Sequence, residues 1–302
     1  IGTPWVDDGK LYNAYALLDE GRVAAIRFKV NLPNYGVFDE KRVFARGPVG
    51  GPLKIRGVRI GVPICEDTWV EESAEYENVV ECLAETGAEI LVVPNGSPYA
   101  KGKNDIRLSI SVARVTESDL PLVYLNQVGG QDELVFDGAS FALNADRSLA
   151  AQLPSFEESV VTLQWTRSAA GWQCAGPVAS QLEGDKADYA ACVLGLRDYV
   201  RKNGFPGVLL GVSGGIDSAL CAAIAVDALG AESVRGVMLP FRFTEQVSLD
   251  DAAKLAMALG IRYDVLPIAP AMNGFEEILS GTFAGLPRDI TEENLQSRAR
   301  GT

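Results

Sequence analysis

The chain of 302 residues contains no histidine. That absence removes every mechanism in which an imidazole activates a serine or a cysteine, so a nucleophile here must be served by a carboxylate or a lysine. Cysteine is sparse and odd in number, at Cys65, Cys82, Cys174, Cys192 and Cys221, with no C-x-x-C spacing. A disulfide framework and a zinc site are both disfavoured, and a reducing cytoplasm is the expected compartment. Long apolar runs are missing too: no segment approaches the roughly 20 residues of a membrane span, and no basic-then-apolar leader opens the chain, so no membrane partner is expected. Positive charge is in deficit, with a net charge of −13 and no basic stripe, which argues against nucleic acid. What remains, 47% hydrophobic and 22% charged, is the composition of a globular protein long enough for two domains. Both ends read as cut, Ile1 inside a strand and Arg298 to Thr302 inside a helix, as in an internal fragment.

The most informative stretch present is Gly211-Val212-Ser213-Gly214-Gly215-Ile216-Asp217-Ser218. The apolar run Val208 to Leu210 before it reads as a buried strand, and Ala219 to Leu229 has apolar residues at helical spacing. Strand, small-residue loop and helix make an anion site, because glycines let backbone N–H groups approach a phosphate and the helix points its positive end at it. Ser213 and Ser218 add hydroxyl donors. A carboxylate facing phosphates is repulsive unless a divalent cation lies between, so Asp217 is expected to ligate Mg²⁺ beside a nucleotide triphosphate. The string lacks the Gly-Lys-Ser/Thr ending of a P-loop and the G-x-G-x-x-G of a dinucleotide fold. It resembles the pyrophosphate loop of the ATP pyrophosphatases, which implies ATP binding by residues 211 to 218 and transfer of AMP.

In the first half, a hairpin is expected from Leu11 to Leu18 and Val23 to Phe28, with Lys29 closing it and a loop rich in Tyr, Phe and acids following to Phe44. Ile60 to Ile64 reads as a strand with Cys65 at its carboxyl end, where chemistry gathers in α/β sheets. A helix from Glu77 to Ala88, a strand from Glu89 to Val93, a helix from Asp105 to Ser118 and a strand from Pro121 to Gln127 follow. A second hairpin runs from Leu134 to Leu153. Most cysteines are small buried hydrophobes, and Cys82, Cys192 and Cys221 fit that expectation. Cys65 differs, since a nearby ammonium stabilises the reactive thiolate and acids follow at once.

Lys29 and Cys65 with these surroundings resemble the nitrilase superfamily, whose members cleave C–N bonds with a Glu-Lys-Cys set. The resemblance implies Cys65 as nucleophile, Lys29 as the catalytic lysine and Glu40 as the second glutamate beside it. It also implies glutamine binding by Tyr35, Glu66, Ser97 and Lys103. The family's first glutamate, the general base, lies upstream of the lysine; residues 1 to 28 hold no match, Glu20 falling in a hairpin turn.

The domains are expected at 1–163, a nitrilase-like α-β-β-α sandwich, and 186–302, a doubly wound parallel sheet. The stretch 164–185, poor in periodicity, reads as a linker. An amidase followed by an AMP-transferring loop resembles the glutamine-dependent NAD⁺ synthetase family. This implies glutamine, ATP and deamido-NAD⁺ as small-molecule substrates, Asn294 and Arg298 as contacts for deamido-NAD⁺, and a homo-oligomer. Two alternatives stay open: a catalytically incomplete ATP-binding fragment, and an amidotransferase that makes another amide through an acyl-adenylate.

Overall fold

The computed structural model describes residues 1–69, 76–169, 171–285, 287 and 289–301, the side chain of Glu292 excepted. The chain divides into two compact units, Ile1–Gly129 with Glu133–Ala191, and Gly130–Asp132 with Cys192–Thr302.

The first unit opens with an antiparallel sheet of β1 (Gly2–Asp7), β2 (Lys10–Asp19) and β3 (Arg22–Phe28). A short helix α1 (Glu40–Val43) precedes β4 (Leu53–Ile55) and β5 (Val58–Gly61), and Cys65–Thr68 forms one 3-10 turn. Then come α2 (Val79–Glu85), β6 (Ile90–Asn95), α3 (Lys103–Ser118) and β7 (Leu122–Asn126). Strands β8 (Val128–Gln131) and β9 (Leu134–Asp137) form a two-stranded sheet, while β10 (Phe141–Leu143) and β11 (Leu149–Gln152) extend the main one. That sheet has the order β11-β10-β7-β6-β5-β4, with β5, β6 and β7 parallel and the outer pairs antiparallel.

The apolar run of β6 lies in the middle of this sheet, between β5 and β7. On one face, Val79, Val80 and Leu83 of α2 and Val115 of α3 pack with Leu91, Val93, Leu122 and Tyr124. Against the other, Tyr15, Leu17 and Ala25 of the three-stranded sheet meet Leu53, Val62 and Ile64. The layers therefore run helix, sheet, sheet. Asn78 caps α2 through its side chain, which accepts from the Glu81 N–H. The helix stops short of Ala88 because Gly87 turns left-handed at φ +90°.

Two expectations change. Residues 164–175 are not linker: β12 (Gln164–Ser168) and β13 (Gly171–Ala175) form a hairpin, and Trp165 and Cys174 pack with Ala142, Ala150 and Ala151. Its alternation was masked by small and polar residues on the outer face. Cys174 is the buried cysteine there, whereas Cys192 and Cys221, expected inside, are exposed, because the apolar stripes of their helices face other ways.

In the second unit α4 (Gly184–Lys202), across which the division falls, leads to β14 (Val208–Gly211), α5 (Ile216–Leu229), β15 (Val234–Met238), α6 (Gln246–Leu259) and β16 (Arg262–Val265). Helices α7 (Ala269–Leu279) and α8 (Ile290–Gly301) follow. The strands are parallel in the order β14-β15-β16, as strand–helix alternation requires. Ala225, Val234, Ala256 and Ile261 form one core between sheet and helices, and Phe241, Ile268 and Met272 form another with Leu295 and Ala299 of α8.

Candidate functional site

In the first unit, β6 and β7 end in register at Asn95 and Asn126, beside the turn that follows β5. This carboxyl edge walls a cavity of about 610 Å³ that Lys29, Glu40, Cys65, Asn95, Gly96 and Asn126 help to line. Lys29 reaches it because β3 ends one residue earlier; its side chain is 1% exposed, and its Nζ donates to Glu40 Oε1 at 2.7 Å. Asn13 of β2 donates to the other Glu40 oxygen at 3.3 Å. A buried ammonium held by a carboxylate is a fixed positive charge in a low-dielectric wall.

Cys65 is the first residue of the 3-10 turn and adopts φ +49°. A non-glycine residue in the left-handed region carries strain of order 1–3 kcal/mol and marks a position set by its surroundings. The sharp turn sends the side chain into the cavity instead of along the strand. Burial pushes the thiol up; Lys29 pulls it down, Glu66 and Glu40 push it up, and a hydrogen bond from the Gly96 N–H favours the thiolate. Burial wins, so the resting sulfur is a thiol, and attack needs a proton acceptor.

The remaining glutamine-site candidates fall in three places. Tyr35 donates its hydroxyl to both oxygens of buried Glu66 at 3.0 Å, and its pKa is raised by burial and by that carboxylate. Ser97 is buried, its N–H donating to Asn126 Oδ1 at 2.9 Å and its hydroxyl accepting from Arg107 Nε at 3.1 Å. Lys103 is not brought to the Cys65 cavity. It lines a second cavity of about 360 Å³, with Asn104 and Asp105, and its ammonium lies 4.6 Å from the centre of the Trp69 ring. Glu20 sits in the β2–β3 turn at φ +49°, exposed beside Arg22. Among the described residues lining the Cys65 cavity, Glu40 is the one carboxylate.

Sequence reasoning missed the groups that hold these side chains. Arg107 of α3 donates to both Asp137 oxygens at 2.9 and 2.8 Å and to the carbonyls of Ser97 and Pro98 at 2.8 and 3.0 Å. Both side chains of this pair are 1% exposed. Asn126 grips Ser97 from the other side, accepting from its N–H and donating to its carbonyl at 3.1 Å. Asp67 accepts from three backbone N–H groups around Lys29 and Cys65. An arginine four residues into an amphipathic helix carries no sign of burial; the acid directly after Glu66 was the one visible signal.

In the second unit, Val212 is buried at the end of β14 and the loop then opens to the surface. Gly214 takes φ +82°, and a Cβ there would overlap the Ser248 carbonyl oxygen, so only glycine fits. The Ser213 and Ser218 hydroxyls lie 3.1 Å apart, and the Ser213 hydroxyl accepts from Gly215 N–H at 3.3 Å. Asp217 lies exposed in the first turn of α5, whose N-terminus has no side-chain cap. Asn294 and Arg298, one turn apart on α8, are both exposed, to one side of the face through which Leu295 and Ala299 pack.

Two family models match the chain, one described as carbon-nitrogen hydrolase over residues 1–171 and one as NAD synthase over residues 188–302. A glutamine-dependent NAD(+) synthetase of Rhodobacter capsulatus is 53% identical over 302 residues, covering 100% of this chain and 54% of the relative. One from Acinetobacter baylyi is 42% identical over 296 residues, 98% of this chain and 53% of the relative. The chain thus spans about half the length of the curated relatives it matches. Among solved structures, a glutamine-dependent NAD⁺ synthetase from Acinetobacter baumannii in complex with adenosine diphosphate superposes with a TM-score of 0.91 at 42% identity, covering 99% of this chain and 56% of that one. A further synthetase structure, from Cytophaga hutchinsonii, shares the fold with a TM-score of 0.80 at 22% identity.

Proposed function

The chain belongs to the carbon-nitrogen hydrolase family, and from that premise we propose that its first unit releases ammonia from glutamine and its second uses it to amidate ATP-activated deamido-NAD⁺. The observation that carries this reading is the buried Lys29–Glu40 pair sharing one cavity with a cysteine held at φ +49°, in a chain that also carries the Ser213 loop. Cys65 sulfur attacks the glutamine carboxamide carbon, and its proton leaves with the nitrogen as ammonia. The ammonium of Lys29 favours the anionic sulfur and the oxyanion that forms next. Water then hydrolyses the thioester to glutamate and regenerates the thiol. Glu40 keeps the lysine in place, and Glu66 with its Tyr35 partner and Ser97, its backbone gripped on both sides, are the proposed contacts for glutamine.

In the second unit, the Ser213 loop binds the phosphates of ATP through backbone N–H groups and hydroxyls at the start of α5. Asp217 offers one exposed carboxylate at that place, which fits Mg²⁺, an ion bound through one or two carboxylates together with substrate phosphates. When bound, Mg²⁺ offsets pyrophosphate charge. The nicotinate carboxylate takes the adenylyl group of ATP and releases pyrophosphate, and ammonia then attacks the acyl carbon of the adenylate and expels AMP. Asn294 and Arg298 are the proposed contacts for deamido-NAD⁺. Assembly as a homo-oligomer in the cytoplasm completes this reading on family resemblance; among the described residues no helix is long and apolar enough to cross a membrane.

A second reading is favoured by one observation: Glu40, the one carboxylate among the described lining residues, is committed to Lys29, so the chain binds substrates without turning them over. Incubation with glutamine, deamido-NAD⁺ and Mg-ATP separates the two. Formation of AMP and glutamate, with Cys65→Ala abolishing the glutamine reaction and sparing the ammonia reaction, establishes the synthetase. Binding of ATP without AMP from either nitrogen donor establishes the binding-only reading. Amidation of other carboxylates in place of deamido-NAD⁺ would redirect the substrate assignment.

A further inference from the structure

Asp67 is 2% exposed and is not among the described residues lining the Cys65 cavity, yet it bonds to the backbone on either side of the site. Its Oδ1 accepts from the Val30 N–H at 3.1 Å and the Asn31 N–H at 2.7 Å, and its Oδ2 accepts from the Ile64 N–H at 2.9 Å. Val30 directly follows Lys29, and Ile64 directly precedes Cys65. One rigid, planar group therefore clamps the segment that presents the ammonium to the turn that presents the thiol.

Burying an acid costs free energy unless its oxygens are well paired. Hydrophobic packing could join two backbone segments more cheaply, but it could not satisfy three buried N–H groups at once. A carboxylate can, with acceptor capacity at both oxygens; a carboxamide of the same shape turns an NH₂ toward at least one of those donors. Burial pushes the Asp67 carboxyl up to about 6 against the three N–H groups and the nearby Lys29 ammonium, so the clamp is a carboxylate at neutral pH.

We propose that Asp67 is a positioning residue that holds the Lys29 ammonium beside the Cys65 thiol. The inference rests on Cys65 and Lys29 acting together as set out under the proposed function. The charged and titratable groups that act on the thiol are Lys29 and Glu40 from the chain after β3, Glu66 from its own turn, and the phenols of Tyr35 and Tyr124. Lys29 is the cation of that set. Moving it away from the sulfur raises the thiol pKa, whereas removing the Asp67 charge with the geometry intact moves it down, because one negative charge is gone. The two effects have opposite signs.

The test is alkylation of the 302-residue chain by iodoacetamide as a function of pH, with Cys65 followed by peptide mass spectrometry and Cys82 as internal reference. Lys29→Met should raise the midpoint of Cys65 alkylation by about one pH unit. Asp67→Asn should raise it in the same direction, and in the double variant the Asp67 change should add no further rise over Lys29→Met, since a clamp has nothing to position once the ammonium is gone. If Asp67→Asn does not fold, Asp67→Glu, which keeps the charge and displaces it, serves in its place with the same expected rise. A purely structural role lowers the melting temperature and leaves the midpoint where it was, and this outcome, or a downward shift, overturns the proposal while Lys29→Met still shows its effect. No shift in Lys29→Met overturns the Lys29–Cys65 pairing itself and the clamp with it.

Discussion

At the scale of single residues, the site is a set of charges placed where burial makes each one consequential. Lys29, Glu66 and Asp67 are buried and Glu40 is half-buried, with the Lys29 and Glu40 side chains 2.7 Å apart. Asp67 has a consequence for stability. Its folded-state carboxyl, at about 6, lies above the usual value near 3.9 for an unfolded aspartate. A raised acid contributes stability that is complete below the unfolded value and is lost as pH rises through the folded one. The unfolding free energy of the natural chain relative to Asp67→Asn should therefore be larger at pH 5 than at pH 7.5. Urea titrations at the two pH values measure this, and an equal or reversed difference would show the carboxylate to be stabilised by its three donors more than burial opposes it. Cys65 and Lys29 were legible from residue type and strand position. Asp67 was legible only as one more acid in a Cys-Glu-Asp string, because nothing in a sequence says which acid turns inward.

At the scale of elements, the site depends on how α3 is fastened to the loop after β6. Arg107 joins a buried ion pair, its Nη1 donating to both Asp137 oxygens, to two carbonyls of the Ser97 loop, to which its Nη2 donates. Truncating one partner of a buried pair leaves the other charge uncompensated, a loss of about 3–5 kcal/mol. Arg107→Ala should lower stability by that amount in chemical denaturation. Arg107→Lys should recover only part of it, since an ammonium cannot reproduce the planar fork. The helices and strands themselves were foreseen closely where periodicity was strong, as in α3, β6, α5 and α6. The hairpin β12–β13 was not: with Trp165, Cys174 and Leu163 inward and Gln164, Thr166, Ser168 and Gly171 on the other face, its strands are short and half polar. Lys103 went the other way, its place in a resembling motif suggesting the Cys65 cavity while α3 carries it to the next one.

At the scale of the whole molecule, each compact unit has its own core, one around β6 and β7 and one around β15. The net charge of −13 sets how the chain meets other macromolecules. A surface with that excess repels phosphate backbones at moderate salt. Fluorescence anisotropy with a labelled duplex should show no binding at about 0.15 M salt; saturable binding there would reveal a basic face that the composition conceals.

What the amino-acid sequence determined by itself was what depends on local order. A strand followed by small residues and a helix makes a loop of the Ser213 kind wherever it occurs, Gly214 is needed for its left-handed turn, and an absence of histidine excludes imidazole chemistry at any site. Alternating strands and helices likewise entail parallel sheets. Tertiary structure decided what depends on distance through space. It brought Lys29 and Cys65 to one cavity from positions 36 residues apart in the chain, buried Arg107 against Asp137, and turned Asp67 inward to three N–H groups. The physical reason is that a charge in water is nearly indifferent to its neighbours, and only removal from water makes its partners decisive.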